Sequence, residues 1–355
     1  MDSAATDFFS STTKLRPELE ALRPQLARFV SQATAKGQKV ALVTSGGTTV
    51  PLELNTVRFI DNFSTGTRGA LCTEEFLRAD YAVVLLHRKG SNFPFVTDLV
   101  KRLHESPYEL VSQRDQSEKQ PSSGLPDLQE RLLAVGFTTL FEYLFLLREC
   151  CQSLASAGPG ALIMLAAAVS DFYVPEKEMS AEKIQSRSLD GLTIQLRNVP
   201  KMLGALRLWA PEAFVVSFKL ETNPNILLAK AAGSLQKYGV DAVCSNVLQT
   251  IRDLVIIVQR DPAISDGINI SSGSLTGEET EPIEVSGVKF KPVERGSSGV
   301  DAPLVKVLVE MHDLRLQKPQ QHQQQQRSLD QGSESAAPAT AKRQRLMGSG
   351  EQEAH

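Results

Sequence analysis

The sequence predicts a three-layer α/β/α domain on a Rossmann-like, mostly parallel sheet, and three observations carry that expectation. Short apolar runs alternate with longer segments of helical period along most of the chain. Two of the runs, Val40 to Val43 and Val83 to Leu86, are apolar at every position, as a strand covered by helices on both faces requires. With 41% hydrophobic positions in 355 residues, the chain also has enough apolar surface for one large core.

In chain order, residues 1–37 read as an N-terminal helical extension. Leu19, Leu22, Leu26, Phe29 and Val30 recur at helical spacing there, and Pro24 is expected to kink that helix or start a new one. The main domain, 38–316, runs through QKVALVTS, GALCTEEFLRA, YAVVLLHR, LIMLAAAVSDF, FVVSFK, VDAVCSN and LVIIVQR, a succession that indicates parallel βαβ units. A polar insertion at 105–129 interrupts it, where Pro107, Pro121 and Pro126 oppose a continuous helix or a central strand. Residues 317–355, with a glutamine tract and few large apolar side chains, read as a disordered tail. Lys342, Arg343 and Arg345 within it fit a nuclear-import patch or an ordinary solvated basic cluster.

Composition excludes several classes. A formal charge of -3 lacks the broad positive field of a nucleic-acid-coating protein, so nucleic acid is not an expected partner. Cys72, Cys150, Cys151 and Cys244 are too few and too unevenly spaced for a disulfide framework. The first residues lack a signal-peptide core, and no apolar run approaches membrane-spanning length. The expected location is the cytoplasm, with no membrane partner.

Open parallel sheets bind ligands beyond the carboxyl ends of their strands, so the residues after each apolar run are the functional candidates. After the first run, Gly46 and Gly47 in SGGT can turn the backbone and present N–H groups to an anion, although Walker A and G-x-G-x-x-G patterns are both absent. Next comes RFIDNFSTGTRG, where Ser64 or Thr65 is expected to cap a helix beginning near Ala70. N–H groups near Gly66 and Gly69 would then face an anion, with Arg58 and Arg68 adding positive charge. Asn62 offers two amide donors and one acceptor for an acyl oxygen or an attacking amine. Asp171 is placed to accept hydrogen bonds from a substrate or to cap a helix, and Lys201 and Lys219 are weaker candidates for phosphate contact. His87 reads equally as a ligand or a structural residue. No His, Cys and carboxylate cluster has metal-site spacing, so a metal is expected to arrive with a nucleotide.

Taken together, SGGT, R-F-x-D-N-F-S-T-G-T-R-G, AAAVSDF, the Lys183-Ile184-Gln185 segment, VPKML and SFKLET resemble the phosphopantothenoylcysteine synthetase family in its eukaryotic, monofunctional type. The resemblance spans about Gln38 to Asn246 and extends less clearly to about Leu316. It implies an ATP-dependent, Mg²⁺-dependent ligase of coenzyme A biosynthesis, with CTP as the alternative nucleotide. Such an enzyme joins 4'-phosphopantothenate to L-cysteine through an acyl-adenylate and releases AMP and pyrophosphate.

The same resemblance implies roles for individual residues. Gly46, Ser64, Gly66 and Gly69 would contact the nucleotide, with Phe218 and Asn246 lining its base and ribose. Asn62, Ala167, Ala168 and Asp171 would hold phosphopantothenate. Arg58 would reach the phosphate in a neighbouring subunit, which implies a homodimer. Lys183 resembles a flap lysine that stabilises negative charge, so Asn62 and Lys183 are the expected catalytic pair. About 37 residues precede the domain in this sequence, so no additional decarboxylase domain is expected there. Read without the resemblance, the residues leave two alternatives: an NADP-dependent reductase with Arg88 and Lys89 on a 2'-phosphate, or a non-catalytic nucleotide-binding scaffold.

Overall fold

The computed structural model describes residues 8–9, 16–97, 128, 130–185, 191–265, 267–271 and 281–334. Among them the helices are α1 (Arg16–Ala35), α2 (Thr67–Arg78), α3 (Leu140–Leu154), α4 (Leu206–Trp209), α5 (Pro224–Tyr238) and α6 (Asp301–Glu334). The strands are β1 (Val40–Ser45), β2 (Thr49–Pro51), β3 (Phe59–Asp61), β4 (Ala82–Arg88), β5 (Leu132–Phe137), β6 (Ala161–Leu165) and β7 (Phe172–Tyr173). They continue with β8 (Arg197–Asn198), β9 (Phe214–Glu221), β10 (Ala242–Val247), β11 (Leu254–Arg260), β12 (Asn269–Ile270), β13 (Val285–Ser286) and β14 (Val288–Glu294).

The main sheet has eight strands in the order β14-β11-β10-β9-β6-β1-β4-β5. From β10 to β5 neighbouring strands are parallel, while β11 and β14 pair antiparallel at one edge. The expected three-layer, mostly parallel architecture is present, but LVIIVQR is not part of a parallel unit. The chain between Val247 and Leu254 is too short for a crossover helix, so β11 returns antiparallel. Pro292 lies inside β14, the outermost strand, where a missing N–H is tolerated.

Alternation of side chains along β1 explains its unbroken apolar run. Val40 and Leu42 join a core layer with α1, α3, α4 and α5, while Ala41 and Val43 join a second layer with Cys72 and Phe76 of α2 and Leu304 and Leu308 of α6. Both faces are therefore covered. On the first face α1 runs through Pro24 as a single helix. Burial of Leu19, Leu26, Val30 and Ala33 offsets the hydrogen bond that proline removes. The adjacent Arg23 makes a two-pronged bond to the buried Glu149 of α3, at 2.6 and 2.9 Å.

By contact the chain forms two units, Met1–His312 and Asp313–His355. Helix α6 continues to Glu334. The insertion at 105–129, apart from Leu128, and the basic cluster at Lys342, Arg343 and Arg345 lie outside the described residues. Among the described residues, no helix is long and apolar enough to cross a membrane.

Cys72, Cys150, Cys151 and Cys244 are free and buried. Burial pushes each thiol up, Cys150 and Cys244 to about 12, which suppresses the reactive thiolate. At pH 8 the native protein is expected to show no fast reaction with a disulfide reagent, and all four thiols should titrate after unfolding. A single fast thiol in the folded protein would contradict this packing.

Candidate active site

The sheet order puts β4 on one side of β1 and β6 on the other, so the winding reverses between β1 and β6 and opens a crevice at their carboxyl ends. Backbone bonds stitch the two loops together there. The Ala168 N–H donates to the Gly46 carbonyl at 2.8 Å, and the Thr48 N–H donates to the Ala168 carbonyl at 3.0 Å. Thr44 and Thr48 hydroxyls accept from the N–H groups of Ala167 and Ser170, at 3.1 and 3.0 Å. Gly46, Ala167 and Ala168 are thus brought together.

Asn62 joins this group through its own N–H, which donates to the Thr48 carbonyl at 3.1 Å. Its side-chain amide makes no hydrogen bond among the described residues. The close approach depends on Gly47, because a Cβ there would lie 1.6 Å from the Asn62 carbonyl oxygen. The Gly-Gly pair was visible in the sequence, but what each glycine packs against was not: Gly46 has φ 85° and a Cβ there would lie 2.6 Å from Arg88 Cβ, while Gly47 faces Asn62.

Helix α2 begins at Thr67 rather than near Ala70, and neither Ser64 nor Thr65 caps it. The N-cap is Gly66, left-handed with φ 78°, and no side chain makes a capping bond. A capping hydroxyl works from an extended backbone, whereas Gly66 has no side chain and the opposite turn. Ser64 Oγ instead accepts from the Gly66 N–H at 3.4 Å. Gly69 is buried in the first turn, and Ser45 Oγ donates to the Gly66 carbonyl at 3.0 Å, fixing the helix start against the end of β1. The uncapped turn and its dipole suit an anion.

Beside this turn lies a cavity of about 340 Å³ lined by Asp61, Ser64, Thr65, Arg88, Lys89 and Asn92, among others. Arg88, the residue a reductase would offer to a 2'-phosphate, is paired with Asp61 at 2.5 Å. His87 packs its ring edge-on against Phe93 with centroids 5.4 Å apart, and burial pulls its pKa down.

Phe218 and Asn246 sit on the neighbouring strands β9 and β10. Asn246 is buried and donates from Nδ2 to the Leu254 carbonyl at 2.6 Å. The Phe218 ring is covered by the Arg68 guanidinium at 5.6 Å. Arg68 therefore does not flank Arg58 as an added anion contact. It turns toward β9 and β10, bonds the Ile251 carbonyl and lies 3.8 Å from Asp301. Arg68 Nη1 and Ser245 Oγ are buried without a hydrogen-bond partner among the described residues, leaving capacity for a polar ligand beside Phe218 and Asn246.

Asp171 is exposed and caps no helix; its carboxylate accepts from Lys201 at 2.6 Å. Lys219 is likewise engaged, with Glu221 at 3.1 Å. Lys183 is exposed and its ammonium makes no ion pair among the described residues. Arg58 bonds within its own chain, to Glu53 at 3.0 Å and to the Ile184 carbonyl at 2.5 Å, which brings it beside the Lys183 segment. Among the described residues, no group of three or more His, Cys, Asp or Glu could hold a metal ion.

Residues 148–259 match the family described as DNA/pantothenate metabolism flavoprotein C-terminal domain. Over 270 residues the chain is 43% identical to phosphopantothenate–cysteine ligase 2 of Oryza sativa subsp. japonica, covering 72% of this chain and 83% of that protein. Over 252 residues it is 44% identical to the phosphopantothenate–cysteine ligase of Homo sapiens, covering 66% and 81%. The chain belongs to the phosphopantothenate–cysteine ligase family. Among solved structures of such ligases, a Cab2 point mutant in complex with phosphopantothenate-cysteine superposes with TM-score 0.70 at 30% identity, over 88% of this chain and 99% of that one. The resemblance carried by the six motifs is thereby borne out, and the ligase fold supplies the crevice described above.

Replacing Gly47 by Ala in this ligase is expected to cost about 3 kcal/mol or more, because backbone must move to admit the methyl. Thermal unfolding should then fall by about 6–12 °C. A variant melting within about 2 °C of the parent would show that the approach to Asn62 is not tight.

Proposed function

We propose that the chain joins 4'-phosphopantothenate to L-cysteine at the switch-point crevice, using a nucleoside triphosphate to activate the carboxylate. The observation that carries this reading is the stitched pair of loops, where Gly46, Ala167, Ala168 and the unbonded amide of Asn62 converge beside the uncapped start of α2. A free carboxylate is a poor acyl donor. Its attack on the nucleotide α-phosphate gives a mixed anhydride and pyrophosphate, and the cysteine amine then displaces the nucleoside monophosphate.

The residues suit that sequence of events. Phosphates meet Ser64, Gly66 and Gly69 at the start of α2, and the base and ribose meet Phe218 and Asn246 with the spare donors of Arg68 and Ser245. Asn62 and Asp171, with Ala167 and Ala168, hold the pantothenate portion. Lys183, free of ion pairs among the described residues, meets negative charge on the reacting groups. ATP is the proposed nucleotide and CTP the alternative; Mg²⁺ carried with it supplies charge neutralisation on the triphosphate.

A homodimer belongs to the same proposal. Around Arg58 the β2–β3 hairpin and its flanks expose Val57 at 55%, Phe59 at 51% and Phe63 at 87%, an apolar surface suited to a second copy. Covering it brings Arg58 toward the phosphate in the partner's crevice. The proposed location is the cytoplasm.

Purified protein with Mg²⁺, 4'-phosphopantothenate, L-cysteine and ATP or CTP is expected to release pyrophosphate in step with amide formation. No amide with either nucleotide, from folded dimer, would reject the ligase reading. Asn62→Ala and Lys183→Ala are each expected to lower kcat by roughly a hundredfold or more, as loss of a charge-stabilising donor does. Both side chains are at least partly exposed, so melting should stay within about 2 °C of the parent. Near-normal turnover in both would reject the assignment of the reacting centre.

A further inference from the structure

We infer that Glu53 is a positioning residue that locks the Lys183 segment and the Arg58 turn into one unit, so that both cations are set by a single buried carboxylate. This rests on the ligase reading above, which gives Lys183 and Arg58 their roles.

Glu53 has no exposed surface and is nevertheless surrounded by donors. Its Oε2 accepts from the N–H groups of Arg58 and Val57, at 3.1 and 3.4 Å. Its Oε1 accepts from Arg58 Nε at 3.0 Å and from the Ile184 N–H at 3.4 Å, across 131 residues of sequence. Burial would raise the pKa of this carboxyl, but the Arg58, Ile184 and Val57 N–H groups and the Arg58 charge outweigh it and hold the group below the usual carboxylate range. The turn alone would need only the first two bonds. The bond to Ile184 ties a distant segment to it.

That segment lies along residues 53–58 like a short parallel strand. Leu54 and Asn55 N–H groups donate to the carbonyls of Ser180 and Ala181 at 2.9 and 3.1 Å, and Asn55 Nδ2 donates to Glu182 at 3.2 Å. Lys183 is thus flanked by two held residues, Glu182 and Ile184, while its own side chain stays exposed. Arg58 commits Nε to Glu53 and Nη2 to Glu53 and the Ile184 carbonyl. The guanidinium plane is therefore fixed, with Nη1 outside the network. An ionised carboxylate accepts on both oxygens and carries no donor; a carboxamide must turn an NH₂ toward Arg58 or a backbone N–H.

Hydrogen exchange and steady-state kinetics of Glu53→Gln, in the full chain, test this. Peptides covering 180–185 are expected to exchange about tenfold faster or more, while those covering β1 and α2 keep parental protection. The same variant should lower kcat for amide formation about tenfold and raise KM for phosphopantothenate, with KM for the nucleotide within about twofold. A purely structural role would not produce that split. Glu53→Asp keeps the charge and should recover part of kcat; it still serves the turn but retreats from Ile184. If Glu53→Gln does not fold, Glu53→Asp carries the same two readings. Unchanged exchange at 180–185, or faster exchange with unaltered kinetics, would overturn the inference. Parent protein that forms no amide would sink the ligase reading by itself, and the exchange comparison would still decide whether Glu53 makes the lock.

Discussion

Everything placed at the crevice depends on how closely three stretches of backbone approach one another around Gly47. With a carbonyl where a Cβ would sit, Asn62 is drawn against the end of β1, and the loop after β6 closes the other side through paired bonds with Gly46 and Thr48. Backbone contacts of this kind leave side chains free for other work. Asn62 can keep its amide unbonded because its main chain already holds it. The start of α2 can remain uncapped because Ser45 and the end of β1 hold it from below.

Charge is distributed by the same economy. Cations near the crevice that lie close to acids are engaged: Arg88 with Asp61, Lys201 with Asp171 and Lys219 with Glu221. Exposed pairs of this type contribute little to stability and exchange readily for a stronger anion. Lys183 differs, since the residues on either side of it are held, Glu182 by its side chain and Ile184 by its N–H, while its ammonium has no acidic partner among the described residues. Arg68 differs again. Its position over Phe218 couples the first turn of α2, where phosphates would sit, to the strands that would hold the base.

Much of the fold was legible in the residues. Runs such as Val40 to Val43 are apolar at every position because both faces are covered, and that pattern needs no knowledge of neighbours. The antiparallel edge was less legible, since LVIIVQR has the same composition as a parallel strand and only the length of its connection distinguishes it. Pro24 is a similar case: its local preference is to bend a helix, and the burial of Leu19, Leu26 and Val30 prevailed. Ser64 and Thr65 carried a sound capping signal that the left-handed turn at Gly66 made irrelevant.

At the site, the residue types needed for binding phosphates and an acyl group could be named from the motifs, because each motif is local and its chemistry belongs to its own side chains or N–H groups. Glu53 could not. In sequence it is one acid among many, and its meaning comes from Ile184 and Arg58 meeting it in a buried place. The sequence by itself determined the mostly parallel α/β class, the family and the chemical kinds present in the crevice. The tertiary structure decided what each glycine of the pair packs against, which cations are already engaged and which carboxylate joins the flap to the turn, because contacts made through space, such as that of Glu53 with Ile184 across 131 positions, leave no periodic or local trace in the chain.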